Sequence, residues 1–339
     1  MTIVLTSLLL AALQGAQPAT PLFASDAPIH VTINGPISVI ARTAEGSTTP
    51  RDATLSLAGT SEVFPIRLSA RGITRRTREV CQFPPLRIDL SKAPGPSSLF
   101  AGQRRLKLVT HCRGDANFQQ HLLLEYSAYR IFNLISPISF RARLASVDYI
   151  DANGRPLTSR FGFFLEDKDD VARRNGLKEG RTGDRISASQ LEPQQAAKFA
   201  LFEYMIGNLD WSMIAGPKGE GCCHNGRLAT GTGGWLIAYP YDFDYSGLVD
   251  APYAVPPEGF SINNVRSRVF RGYCRHNSQT LAAAAELRAS RPAIEALFGQ
   301  IPGLEERTRR KAVAYLGSFY AEIATDDAVR KNLLKECLG

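Results

Sequence analysis

Two aspartates two positions apart, Asp242 and Asp244, follow the apolar run Trp235 to Tyr239, and Ser246-Gly247 closes the turn that carries them. On an extended backbone that spacing puts both carboxylates on one side, where their oxygens can hold a divalent cation. The plain alternative is an acidic surface turn. Upstream, Gly207-Asn-Leu-Asp-Trp211 is a glycine-bounded loop suited to presenting Asp210 as a base. Asn225 offers a further oxygen. Lys107 lies on the alternating segment Leu106 to Thr110, and Glu125 is the one acid inside an apolar helical stretch. A carboxylate in such surroundings calls for a cation, and Lys107 is the near candidate in sequence, unless Glu125 points to solvent and Lys107 snorkels. Glu166 ends another apolar run. A lysine on phosphates, metal-binding acids and a carboxylate that orients a hydroxyl are the parts phosphoryl transfer needs.

The elements that must position these residues read in two blocks. From residue 29 to about 90, short β-favouring runs (His30 to Ile33, Ile37 to Ala41, Ala53 to Leu57, Phe64 to Ser69, Leu86 to Leu90) alternate with turn residues. Asn117 to Ile135 has the apolar density of a buried helix, and strands follow at Arg143 to Tyr149 and Arg160 to Leu165. Beyond Asp167 the pattern turns helical. A helix opens at Pro193 and stops at Gly207, others cover Leu281 to Ile301 and Arg307 to Ile323, and the tail Asp326 to Leu338 adds a last one. The reading is α+β: a β-rich region over 24–166, then a helical region with the functional loops over 167–339.

The chain has 339 residues with 44% hydrophobic and 21% charged content, enough for a sizeable core and unlike a disordered chain. Its first nineteen residues carry no charged side chain, and residues 3–13 are mostly apolar. Residues 1–19 therefore read as a leader peptide lacking the usual basic start, with no membrane span after its removal and a periplasmic or secreted setting. Six cysteines fit an oxidising compartment. Cys222 and Cys223 read as disulfide partners, with Cys274 a candidate mate, in preference to zinc, because no second pair at zinc-finger spacing accompanies them. The net charge of +8 favours an anionic partner weakly. The basic clusters at Arg71 to Arg78 and Arg307 to Lys311 have no interleaved aromatics, which excludes a nucleic-acid motif. The first is a phosphate-covering loop or an exposed hairpin end; the second is a solvated helix face.

Four motifs together resemble a known family. Arg71-Gly72 before a Pro-containing strand, Glu-Asp-Lys-Asp at 166–169, Gly-Asn-Leu-Asp at 207–210 and Tyr-Pro-Tyr-Asp-Phe-Asp at 239–244 look like the CotH group of atypical protein kinases. The Gly-Asn-x-Asp element is also similar to HipA-type kinases and, more distantly, to phosphoinositide kinases. The resemblance covers roughly residues 64 to 250. It implies a bilobal kinase-like fold with a β-rich N-terminal lobe and an α-rich C-terminal lobe, and transfer of the γ-phosphate of ATP, with Mg or Mn, to a hydroxyl of a protein, glycan or small molecule. Carried onto this chain, it makes Asp210 the base and gives Lys107, positioned by Glu125, the ATP phosphates. Glu166 is placed at the nucleotide, and Asp242 on the metal with Asn225 and Asp244. Asn225 stands fifteen positions after Asp210, where kinase loops allow about five, so Gly216 to Cys223 reads as an insertion. The chain has no Gly-x-Gly-x-x-Gly loop and no His-Arg-Asp loop, and Trp211 follows the base. These departures leave two rivals: a pseudokinase or envelope assembly protein without turnover, and a metal-dependent hydrolase built on Asp242, Asp244 and His224.

Overall fold

Strand alternation divides one sheet between two cores. In the computed structural model, which describes residues 16–339, the first part of the chain contains β1 (Ile29–Gly35), α1 (Ile37–Thr43), β2 (Arg51–Leu57), β3 (Val63–Ala70), β4 (Leu86–Leu90) and β5 (Arg105–Val109). Then come α2 (Ala116–Ile135), β6 (Ala142–Asp151) and β7 (Pro156–Leu165). The seven strands close into a barrel in the order β1-β2-β3-β4-β5-β7-β6. Every neighbouring pair is antiparallel except β1 and β6, which run parallel with Val31 beside Val147 and seal the barrel. Val31, Leu55, Leu68, Ile88, Leu108, Val147 and Phe164 fill its interior. The alternate residues Leu144, Phe163 and Leu165 point outward into a second core with α2 and the later helices. Each such side chain contributes roughly 1.5–3 kcal/mol by leaving water.

This closed mixed barrel overturns the expected bilobal kinase-like fold. The β-rich region is not an open N-terminal lobe, because β1 bonds both β2 and β6 and leaves the sheet no edge. The strand expected at Ile37 to Ala41 is instead α1: Pro36 precedes it, and Ile37, Ile40 and Ala44 repeat at helical spacing on one buried face.

After the barrel come α3 (Lys168–Arg174), the short β8 (Lys178–Glu179), α4 (Pro193–Ile206), and β9 (Gly226–Thr230) with β10 (Leu236–Pro240) as an antiparallel hairpin beside β8. Helices α5 (Asn277–Leu297), α6 (Glu306–Glu322) and α7 (Asp326–Asn332) complete the chain. Among the described residues no helix is long and apolar enough to cross a membrane. The apolar stretch 3–13 of the expected leader lies outside them.

Three disulfides are present: Cys81–Cys112, Cys222–Cys223 and Cys274–Cys337. Pairing of this kind is what an oxidising compartment sustains. It corrects the expected link between the 222–223 pair and Cys274, since the adjacent cysteines bond each other and Cys274 reaches the C-terminal segment.

Candidate functional site

An arginine lies where the sequence pointed to a lysine. The connection from β3 to β4 makes a short 3-10 turn at Thr74–Arg76, and the Cys81–Cys112 bond ties its far end to the segment entering α2. From this turn Arg75 reaches inward. Its Nη1 donates to Glu125 Oε2 at 2.9 Å and its Nη2 to Asp242 Oδ1 at 2.8 Å, while Nε lies 3.2 Å from Asp244 Oδ2. The guanidinium is 11% exposed and Glu125 3%. Burial works against the Arg75 charge, but Asp244, Glu125 and Asp242 outweigh it and hold the group protonated. Burial also pushes the Asp244 carboxyl well up and the Glu125 carboxyl up, with Arg75 opposing: three acids share one cation.

Lys107 does not meet Glu125. Its strand places it opposite Leu165, so the chain leaving β7 passes by the ammonium and Asp167 Oδ2 lies 3.3 Å from Nζ. Glu166 is fully buried and is not presented to a nucleotide. It accepts from the Arg141 main-chain N–H at 2.9 Å and from Arg174 Nε and Nη2 at 3.1 and 3.0 Å, which fastens α3 to the start of β6.

The loop bearing Asp210 is fixed from several sides. Gly207 ends α4 at φ +66°, and a Cβ there would collide with the Tyr315 hydroxyl, so the sharp exit requires glycine. Asn208 Oδ1 accepts from the Asp210 N–H at 3.1 Å. Trp211 donates to the Asn208 carbonyl at 2.9 Å and lies under the Arg271 guanidinium, which in turn donates to the Leu209 and Trp211 carbonyls. The tryptophan after Asp210 is therefore part of a clamp. Beneath it Glu203 is fully buried, and burial pushes its carboxyl well up, with Asn208 and Arg271 opposing.

The segment between Ala215 and His224 folds back on itself. Ser212 N donates to the His224 carbonyl and His224 N to the Ala215 carbonyl, both at 2.9 Å, returning the chain to Asp210. His224 Nε2 lies 2.7 Å from Asp210 Oδ1. Asn225 Nδ2 donates to Asp210 Oδ2 at 2.9 Å and to the Asp210 carbonyl at 2.7 Å. The long spacing to Asn225 is thus an excursion that ends at the same carboxylate. The bond to Asp210 raises the His224 imidazole above its ordinary value.

Asp242 faces the same space. Its φ of +66° breaks the extended backbone expected through Asp244, in a left-handed conformation that aspartate adopts more readily than most residues. Its N–H donates to the Tyr129 hydroxyl at 3.0 Å. Asp242 and Asp210 are 30% and 32% exposed, and both line a cleft of about 280 Å³ with Arg71, Thr74, Glu220, Arg227 and Tyr241. Glu125, Asp242 and Asp244 can each offer an oxygen within 4.8 Å of the others, a hard donor set of the kind Mg or Mn accepts. Arg75 already engages all three, through both oxygens of Glu125 and one each of Asp242 and Asp244. A metal entering from the cleft would meet Asp242 and Asp210 first; Asp244 is buried against Arg75 and the Tyr253 hydroxyl, and the Asn225 amide is turned onto Asp210.

The structure therefore brings together Asp210, Asn225, Asp242 and Asp244, with Glu125 behind them, and leaves Lys107 and Glu166 in separate ion pairs. Sequence reasoning missed Arg75 as the partner of Glu125 and the bond from His224 to Asp210. The basic loop around residue 75 and the histidine beside the paired cysteines were the available signals. No family model matches this chain, and no curated protein matches it.

Proposed function

We propose that the cleft is the site of a metal-dependent phosphotransferase that moves the γ-phosphate of ATP to a hydroxyl acceptor. The observation that carries this reading is the convergence of Asp210 and Asp242, from separate loops, as two half-exposed carboxylates of one cleft, with Asp210 oriented through both oxygens. ATP as donor rests on the motifs at 207–210 and 239–244 and their resemblance to CotH-type kinases. The three disulfides favour a periplasmic or secreted site of action.

Asp210 takes the proton of the acceptor hydroxyl as its oxygen bonds the γ-phosphorus; the bond to the bridging oxygen breaks and ADP leaves with that electron pair. His224 and Asn225 keep the Asp210 carboxylate aimed. Asp242 is the residue from which Mg or Mn would be held, and such an ion neutralises phosphate charge when bound. Protein, glycan and small-molecule acceptors all fit this chemistry.

One observation favours a second reading, a binding or envelope assembly protein without turnover: Arg75 supplies to Asp242 and Asp244 the positive charge a metal would otherwise bring. Thermal unfolding with ATP and Mn, with EDTA and with Asp242→Asn as controls, separates the two. A metal-dependent rise in midpoint that the variant abolishes, together with ADP release on adding hydroxyl acceptors, supports the enzyme. No shift at millimolar nucleotide sinks it.

A further inference from the structure

The cleft also holds a basic group. Beside Asp210 and Asp242, two arginines flank one tyrosine. Arg71, at the exit of β3, donates through Nη2 to the Tyr241 hydroxyl at 2.6 Å, and its main-chain N–H is bound to the Pro85 carbonyl at 2.8 Å. Arg227, on β9, lies with its guanidinium 4.8 Å from the centre of the Tyr241 ring and donates Nη1 to the Gly226 carbonyl at 2.7 Å. All three residues line the cleft.

Neither arginine has a carboxylate within ion-pair distance among the described residues, although both are half-buried. Their neighbours show the usual arrangement: Arg75 has three carboxylates and Arg174 has Glu166. A half-buried guanidinium with most of its N–H groups uncommitted is a donor fork awaiting an acceptor. Tyr241 fixes the orientation of both forks, one through its oxygen and one through its ring face. Because its hydroxyl accepts from Arg71, its own O–H proton is free to be donated. Of the acids lining the cleft, Asp242 and Asp244 are engaged by Arg75 and Asp210 by His224, and neither these nor Glu220 forms an ion pair with Arg71 or Arg227 among the described residues.

We infer that Arg71, Tyr241 and Arg227 form a phosphate-binding subsite that holds the diphosphate tail of a phosphoanhydride ligand. Two planar forks with a phenol between them suit two adjacent phosphates, whereas a single carboxylate would leave one fork unmet. The subsite takes the role the sequence assigned to Lys107, which is occupied by Asp167. As the seat of the donor's leaving group it rests on the phosphotransferase reading, but the binding itself requires neither metal nor turnover.

The test is calorimetric titration of the oxidised full chain with sodium pyrophosphate in EDTA. The expected result is saturable binding that weakens with salt and falls about ten-fold or more in Arg71→Gln and in Arg227→Gln, as loss of a hydrogen bond to a charged group entails. Tyr241→Phe, which keeps the ring and loses the hydroxyl, should weaken it by a smaller factor. If a glutamine variant fails to fold, Arg227→Lys keeps the charge and stem without the planar fork and should still lose affinity. Asp242→Asn separates the two claims: metal-free pyrophosphate binding persists in it while ATP-dependent transfer is lost. Pyrophosphate binding in a protein that never transfers phosphate keeps the subsite and removes the enzyme. ADP binding more tightly than pyrophosphate assigns the tail to a nucleotide, and the reverse order assigns it to inorganic polyphosphate; both keep the subsite. No binding at millimolar pyrophosphate, equal affinity for malonate, or wild-type affinity in both glutamine variants overturns it.

Discussion

Arg75 donates to Asp242 across 2.8 Å, joining the β3–β4 connection to the turn after β10 by a contact that also engages Glu125 and Asp244. Replacing this arginine leaves buried acids without a cation. Arg75→Gln should cost about 3–5 kcal/mol of stability at neutral pH, the usual range for breaking a buried ion pair from one side. The sign of its pH dependence follows from the raised carboxyls of Asp244 and Glu125. With folded values above the unfolded ones, the folded state binds more protons, so the variant recovers stability as pH falls toward the acid side. Denaturant unfolding of both proteins at two pH values is the check. A pH-independent cost below about 1 kcal/mol would contradict the assignment.

Asp210→Asn should preserve the fold, because the substituted amide retains an oxygen for Asn225, and should lower phosphoryl transfer by a factor on the order of 10²–10⁴, the usual contribution of a positioned base. His224→Gln should lower it less, since Asn225 still holds the carboxylate. Rates of ADP release with a hydroxyl acceptor test both. Equal losses in the two variants would mean that the histidine has more than an orienting part.

His111 is buried between Phe83 and Tyr149, with ring centres 4.5 and 6.1 Å away. Burial, with Arg160 nearby, pushes its imidazole down to about 4. An unfolded histidine titrates near 6.5, so the unfolded state binds the extra proton between these values and stability falls as pH drops through that window. The loss attributable to this group is on the order of 3 kcal/mol. His111→Phe should flatten the stability profile between pH 6.5 and 4; an unchanged slope would assign the acid sensitivity elsewhere.

The disulfides differ in how much chain they close. Cys274–Cys337 spans a sequence separation of 63 and Cys81–Cys112 one of 31, for which loop-closure entropy gives roughly 4 kcal/mol each. Cys222–Cys223 joins neighbours and closes almost no loop. Alanine pairs at 274/337 or 81/112 should therefore lower the unfolding midpoint markedly, and a pair at 222/223 much less. A larger loss at 222/223 would show that this bond supports the return of His224 to Asp210.

Much of the local structure was legible because it is written locally. Leu86–Leu90 alternates and forms β4 at those bounds, and α4 runs from Pro193 to the glycine that stops it. The loops of Asp210 and Asp242 were legible for the same reason, since each acid stands at a marked turn. The barrel was not, because no feature of Val31 announces that it pairs with Val147. Lys107 and Glu125 looked like partners as neighbours in sequence, but strand register carried one to Asp167 while a loop from before β4 brought Arg75 to the other. Ile37 to Ala41 shows the remaining ambiguity: a short apolar run fits strand or helix until its buried face is known.

Pairing of β1 with β6 also has a kinetic side. A chain made or exported from its N-terminus exposes β1 long before Ala142–Asp151 exists to meet it. Until then the growing sheet has two open borders, β1 and β5, each able to recruit another chain. Contacts of such long sequence separation make for slow folding, so the barrel forms only after both β6 and β7 have emerged. A fragment cut short of Ala142 should aggregate through those borders, and in the cell that interval is when this chain most needs a holding chaperone.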